Sequence, residues 1–300
     1  MPLDITKSFN SKEMSGGYAL QPPKYEFKDI ILNEVQYQRV KLAIAYDEYK
    51  SLLMDKWKMK VLYPESNGLF INLYGESGTG KTMTAHAIAA ELNRQIVMVN
   101  YAEIESKYVG ETSKNLVNIF TFAQENNAVL IFDEADALLS KRVTNMTSST
   151  DVSVNQTKSV LLNIMNDYEG VVVFTTNFIS NYDFAFMRRI PFQIEFPLPD
   201  KKQRIQIWEH YLSTNMPYRL NIDEISQKYE DVSGSDIANS VLNAALYAVT
   251  EKSSIVTENY FYRALDELIK AKQANKKNEP RIVSQREVTE EYARKQLGGK

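Results

Sequence analysis

Gly75-Glu76-Ser77-Gly78-Thr79-Gly80-Lys81-Thr82 follows an apolar run at residues 69–74 and opens a stretch in which Ala85, Ile88, Ala89 and Leu92 recur at i, i+3, i+4 and i+7. An apolar run, a glycine loop and an amphipathic helix in that order are the context the GxxxxGKS/T pattern requires. The glycines let consecutive backbone N–H groups turn inward around a phosphate, and the helix N-terminus adds a favourable dipole. Lys81 carries a cation to the β/γ oxygens, and Thr82 offers a hydroxyl to Mg²⁺. A glycine-rich turn before a helix is otherwise a purely structural device; the strand on one side and the helix on the other argue for the phosphate reading. All eight residues are therefore candidates for nucleotide binding.

Further along, Val129-Leu130-Ile131-Phe132-Asp133-Glu134-Ala135-Asp136 reads as a buried strand ending in acids. Beside a phosphate loop such a pair has a chemistry: Asp133 holds the metal's water shell, and Glu134 orients and deprotonates an attacking water. Acids at a strand end are common turn residues when they stand alone. A module that only bound nucleotide would not need Glu134, so the two segments together predict ATP hydrolysis with Mg²⁺, Thr82 and Asp133 being the metal-side residues.

Five β-rich runs, at residues 69–74, 96–100, 129–133, 171–176 and 192–196, are mostly continuous apolar stretches, as expected of strands buried on both faces. They alternate with helical patterns, so the fold class is α/β: a P-loop parallel five-stranded sheet with flanking helices. From Asp200 the strand signals stop, and residues 201–212, 222–228, 235–250 and 257–271 carry helical spacing, with Asp223 and Ser235 near plausible helix starts. The predicted organisation is a flexible segment over 1–24, a large α/β domain over 25–199, a small all-helical lid domain over 200–271 and a charged tail over 272–300. The polar stretch at 144–151 is expected to be an exposed loop, and His86, one turn into the loop's helix, a helix-surface residue.

Composition narrows the function classes. The 300 residues contain no cysteine and two histidines, His86 and His210, which rules out a disulfide framework, a thiolate nucleophile and Cys-based metal sites. No apolar run approaches the ~20 residues that span a bilayer, so no membrane insertion is expected. The N-terminal residues have neither the basic nor the apolar region of a secretory signal, which predicts a cytoplasmic address. The net charge of −3 argues against a surface built mainly for nucleic acid.

With both motifs in place the chain resembles the AAA family of ATPases over about residues 25–270, in particular the substrate-threading branch of the katanin, spastin and vacuolar-sorting ATPases. Tyr25-Glu26-Phe27-Lys28-Asp29-Ile30 is similar to the family's opening motif, whose backbone near Ile30 would border adenine. Ser106-Lys107-Tyr108-Val109-Gly110-Glu111 resembles the aromatic pore loop, which implies that Lys107, Tyr108, Val109 and Gly110 grip a polypeptide. Thr175-Thr176-Asn177 matches the first sensor, placing Asn177 beside the γ-phosphate and attacking water. The stretch from Asp183 to Arg189 resembles the segment that carries arginine fingers, making Arg188 and Arg189 catalytic candidates acting on a neighbouring subunit. Gly234-Ser235-Asp236-Ile237 resembles the lid motif. Glu76-Ser77 departs from the family, which often has two prolines there.

The resemblance implies an ATP-hydrolysing homo-oligomeric ring, a hexamer, that remodels, disassembles or unfolds a protein client. No large domain precedes Tyr25, so client choice is expected to use the tails or an adaptor. The alternative is a nucleic-acid-associated AAA+ ATPase of the helicase-loader or initiator type. That class is expected to have a basic pore and an arginine in the lid motif, where this sequence has an aromatic loop and Gly234-Ser235.

Overall fold

The computed structural model describes residues 18–61, 68–100, 112–141, 149–177, 182–212 and 215–278. Its strands are β1 (Leu20–Gln21), β2 (Leu69–Gly75), β3 (Ile96–Asn100), β4 (Val129–Asp133), β5 (Val171–Thr176) and β6 (Phe192–Phe196). They form one sheet in the order β1-β3-β4-β5-β2-β6. Every pairing is parallel except β1 with β3, where Leu20 and Gln21 face Val97 and Ile96. The five strands read from the sequence are all present. The sixth, β1, lies inside the segment expected to be flexible, and Leu20 is buried. Two residues carry no readable periodicity; what places them is the open edge of β3.

The helices are α1 (Glu34–Ser51), α2 (Lys81–Glu91), α3 (Thr112–Glu125), α4 (Asp136–Leu139), α5 (Ser149–Asp167), α6 (Phe184–Arg189), α7 (Lys201–Tyr211), α8 (Ile222–Lys228), α9 (Gly234–Thr250) and α10 (Glu258–Asn278). Alternation along each strand divides the sheet into two faces. Leu130, Phe132, Val172 and Phe174 pack with Leu116, Ile119 and Phe120 of α3 and Leu161 and Met165 of α5. Val129, Ile131, Val171 and Val173 pack with Val40 and Ala43 of α1 and Ile88 and Ala89 of α2. Each fully buried aliphatic side chain contributes about 1.5–3 kcal/mol, so both helical layers are held chiefly by these contacts. Burial on both faces accounts for the apolar, non-alternating strands.

Helices α7 to α10 enclose a third core around Trp208, Ile237, Phe261 and Leu265. Arg204 is buried between that core and the end of the sheet. Its guanidinium donates to the carbonyls of Pro199 (2.6 Å), Ser226 (3.0 Å) and Glu230 (3.2 Å). The helix caps sit two residues before the expected starts: Asn221 accepts from the Glu224 N–H, and Ser233 from the Asp236 N–H. Helix α10 runs to Asn278, beyond the expected domain limit at 271, and Ser149 to Asp151, expected in a loop, open α5.

His86 is a correction. It is buried, not a surface residue: its Nδ1 accepts the Lys24 N–H at 3.1 Å, and its ring meets Tyr25 edge-on. The chain following β1 folds back over α2 and covers it. Among the described residues no helix is long and apolar enough to cross a membrane.

Candidate functional site

The C-terminal ends of β2, β4 and β5 converge where the strand order reverses, the usual position of a ligand crevice in an open α/β sheet. A cavity of about 290 Å³ lies there. Its floor is Ser77 to Thr82 of the glycine loop, and one wall is Asp133, Glu134, Thr175, Thr176 and Asn177. The opposite wall joins Asp29, Ile30, Ile31 and Leu32 to Ile207, His210, Tyr211, Gly234 and Ser235.

The loop fits a phosphate chain. Gly78 and Gly80 have φ values of 75° and 95°, which only glycine adopts without strain. A Cβ on Gly80 would meet no protein atom within 4 Å, so its positive φ and not crowding is what calls for glycine there. Lys81 is buried, and its Nζ donates to the carbonyls of Gly75 and Glu76 (both 2.8 Å) and to Asn177 Oδ1 (3.1 Å). Burial pushes its ammonium below the usual 10.5, opposed by the carboxylates of Asp136, Asp133 and Glu76. It is thus a desolvated cation on neutral acceptors, ready for a stronger anionic partner. Gly75 and Glu76, expected to touch nucleotide, lie outside the cavity lining and act through those carbonyls; the Glu76 side chain is exposed.

The acids are organised by a residue that sequence reasoning passed over. Thr175 Oγ1 donates to Asp133 Oδ1 and accepts the Glu134 N–H at 3.1 Å, so one hydroxyl orients both. Thr82 Oγ1 donates to the same Asp133 oxygen at 2.9 Å. Hydroxyl and carboxylate together are the hard oxygen donors that suit Mg²⁺ bound through phosphates. Among the described residues no cluster of three or more His, Asp or Glu is arranged to hold a metal by itself. Glu134 is exposed and has φ 53°, a strained value for a non-glycine residue, while the Ala135 N–H returns to the Thr175 carbonyl. The Asn177 N–H donates to Asp136 Oδ1 at 2.9 Å, tying the end of β5 to the acidic turn.

The structure therefore gathers Lys81, Thr82, Asp133, Glu134 and Asn177 around one cavity. It does not bring Arg188 or Arg189 to it: Arg188 is exposed on α6, and Arg189 is bonded to Asn166 and the Ala185 carbonyl. Lys107, Tyr108, Val109 and Gly110 lie outside the described residues. Ile207, His210 and Tyr211 were missed by sequence reasoning. Their i, i+3, i+4 spacing was readable, but nothing local says that this face of α7 meets the glycine loop. That meeting depends on the Ser235 N–H, which donates to the Gly78 carbonyl at 3.1 Å and sets the start of α9 on the loop.

Residues 71–198 match the family described as "ATPase family associated with various cellular activities (AAA)". The chain is 32% identical over 69% of its length to a 26S proteasome regulatory subunit 8 homolog of Schizosaccharomyces pombe, covering 53% of that protein. It is 32% identical over 84% of its length to a 26S proteasome regulatory subunit 4 homolog of Dictyostelium discoideum, covering 58%. Against a proteasome-activating nucleotidase of Methanoculleus marisnigri the figures are 28% identity, 89% of this chain and 65% of the relative. The chain thus spans a little over half to two thirds of the length of these relatives. Sheet order, phosphate cradle and relatives agree with that match, which places residues 71–198 in the AAA family of ATPases.

Proposed function

We propose that this chain binds Mg-ATP and hydrolyses it in a homo-oligomeric ring, a hexamer, and uses turnover to remodel, disassemble or unfold a protein client. The observation that carries the reading is the grouping of Lys81, Thr82, Asp133, Glu134 and Asn177 around one cavity that also has an apolar wall for a base. Lys81 neutralises β/γ-phosphate charge, while Thr82 and Asp133 hold Mg²⁺, which supplies further neutralisation when bound. The Glu134 carboxylate takes a proton from the attacking water, and the Asn177 amide orients that water and the γ-phosphate. An arginine of the Arg188–Arg189 pair completes the site from a neighbouring subunit.

The names of the proteasomal relatives support the protein-handling part. The narrower likeness to katanin, spastin and vacuolar-sorting ATPases rests on the motifs alone, since the relatives above are proteasomal. Residues 25–199 then form the catalytic body and the helices from 200 onward the lid. Tyr108, with Lys107, Val109 and Gly110, is the grip on the client.

Glu134→Gln tests this reading: it removes the base but keeps shape, and is expected to lower turnover about 10²-fold or more with ATP still bound. The ATP-trapped variant should co-purify with a protein client, and Tyr108→Ala should abolish that capture without loss of ATP binding. Wild-type turnover by Glu134→Gln would refute the assigned base. Capture of DNA or RNA in place of protein would favour the nucleic-acid alternative.

A further inference from the structure

The chain has two tryptophans, and folding places them in opposite surroundings. Trp208 is 1% exposed at the centre of the third core, whereas Trp57 is 65% exposed. Trp57 stands in the run Lys56-Trp57-Lys58-Met59-Lys60-Val61, where lysines alternate with apolar residues. The end of α1 widens into a π-helical turn over Leu52–Lys56, which the Trp57 N–H closes by donating to the Leu52 carbonyl at 3.0 Å. Lys58, with φ 55°, then bends the chain into a 3₁₀ turn over Met59–Val61. These turns leave Val61 83% exposed, the most exposed large apolar side chain among the described residues, and Lys56, Lys58 and Lys60 are exposed with it.

Covering Trp57 and Val61 would be favourable, and the described part of the chain does not do it. Charge says what kind of occupant would. Residues 50–61 hold four lysines and one acid, a local +3 on a chain of net charge −3. The acid, Asp55, accepts from the Ser51 hydroxyl at 3.1 Å, and Lys50 donates to the Glu169 carbonyl at 3.3 Å. Lys56, Lys58 and Lys60 have no hydrogen bond or ion pair among the described residues. The occupant therefore offers anionic groups and apolar depth side by side. An anionic bilayer surface has that profile: indole sits at the headgroup level, and lysine stems lie along apolar surface while their ammonium groups reach the phosphates. Nucleic acid fits less well. Its phosphates are held best by arginine forks and its bases by aromatic platforms, whereas residues 50–61 contain no arginine, a single ring and an exposed valine with nothing to stack on.

We propose that residues 56–61 form a peripheral membrane-contact site for anionic phospholipid. Trp57 and Val61 enter the interfacial layer, and Lys56, Lys58 and Lys60 pair with headgroups. The chain then lies on a bilayer without spanning it, in keeping with the described helices, none of which is long and apolar enough to cross one. None of these residues lines the nucleotide cavity, so the site stands independently of the ATP reading.

The test is sedimentation of the full chain with vesicles of phosphatidylcholine, alone or mixed with phosphatidylserine. Binding is expected to the mixed vesicles only, and should fall as salt approaches about 1 M, where charge is screened within about 3 Å. Each lysine near such a surface contributes about fivefold, so replacing Lys56, Lys58 and Lys60 together by Gln should weaken binding about 10²-fold. Trp57→Ser should weaken it about tenfold or more. Trp208 is already buried, so a shift of fluorescence to shorter wavelength on binding reports Trp57; Trp57→Phe should keep most of the binding and lose the shift. The thermal midpoint should be unchanged in all of these variants, because each side chain replaced is exposed. Failure of the wild type to bind mixed vesicles, equal binding to both kinds, or undiminished binding by the triple variant would each overturn the proposal. Binding without a fluorescence shift would also overturn it, as would capture of a single-stranded oligonucleotide with vesicles left unbound.

Discussion

His86 is the residue whose sequence reading and surroundings differ most. Its Nδ1 accepts a backbone N–H from Lys24, which requires the neutral imidazole with its proton on Nε2. Burial lowers its pKa below the usual 6.5, the Lys24 charge adds to that, and Asp133 partly opposes it. A histidine whose folded pKa is depressed leaves the unfolded chain to bind the proton first. Stability is therefore complete above about pH 6.5 and is lost as the pH falls below it, at up to about 1.4 kcal/mol per unit until the folded pKa is passed. Thermal unfolding followed downward from neutral pH should show this loss, and His86→Phe should flatten that part of the profile. An unchanged slope in the variant would mean that His86 is not the group being titrated. Glu134 shows the same separation between motif and circumstance. Its place after an apolar strand is legible in the sequence, but its left-handed φ of 53° and its N–H bond to Thr175 are visible only in the folded chain.

At the scale of elements, one polar line crosses the sheet. Asn72, in the middle of β2 and fully buried, accepts from Thr176 Oγ1 on β5 at 3.2 Å and donates to Gln193 Oε1 on β6 at 2.8 Å. Tyr182, its hydroxyl pKa pushed up to about 12 by burial, donates to Thr176, and Gln193 Nε2 donates to the Ile190 carbonyl at the end of α6. The strand that precedes Asn177 is thereby joined to the helix bearing the arginines. Asn72→Leu would leave the Gln193 oxygen and the Thr176 hydroxyl without this partner, at a cost of about 1–3 kcal/mol for each group left unsatisfied. Urea denaturation of the variant should show a loss in that range, and a stability equal to the wild type would refute the network's role. The helices divide into those that show in the sequence and those that do not. Helix α2 showed through regular spacing. Helix α1 did not, because Val35, Leu42 and Tyr49 are apolar on its exposed side and blur the stripe formed by Val40, Ala43 and Ile44.

In the whole molecule the cavity lies between the sheet's loops and the helices of the third core, so a nucleotide bound there would touch both. The direct link is small: the Ser235 N–H on the Gly78 carbonyl, with the Ser233 cap behind it bonded to Asp236, which Lys272 of α10 pairs. A Cβ at Gly78 would overlap Ser235 Oγ, so this approach needs glycine there as much as the loop does. A ligand that binds only the folded chain stabilises it by about 2.7 kcal/mol at a hundredfold excess over its Kd. Saturating Mg-ATP should therefore raise the thermal midpoint by about 3–5 °C, given a shift of about 2–4 °C per kcal/mol for chains somewhat smaller than this one and less for larger ones. Lys81→Ala should remove the shift. A shift that survives the substitution would put the nucleotide elsewhere.

What the sequence by itself determined is what is written in contiguous residues: a glycine loop with Lys81 and Thr82, the acids Asp133 and Glu134 at a strand end, Asn177 after another, and five strands, all of which the fold brings to one cavity or one sheet. Covalent spacing sets local backbone geometry, and hydrophobic runs report burial on both faces, so these features need no knowledge of distant partners. Only the tertiary structure decided which residues are satisfied and which are free. Thr175 orients both acids across the gap between β4 and β5, β1 closes on β3, and His86 disappears beneath the segment after β1. Arg188 and Arg189, alike in type and neighbours in the chain, differ because, among the described residues, α5 supplies an acceptor to Arg189 alone. Burial and hydrogen-bond partnership arise from packing between segments far apart in the chain, and no local pattern encodes them.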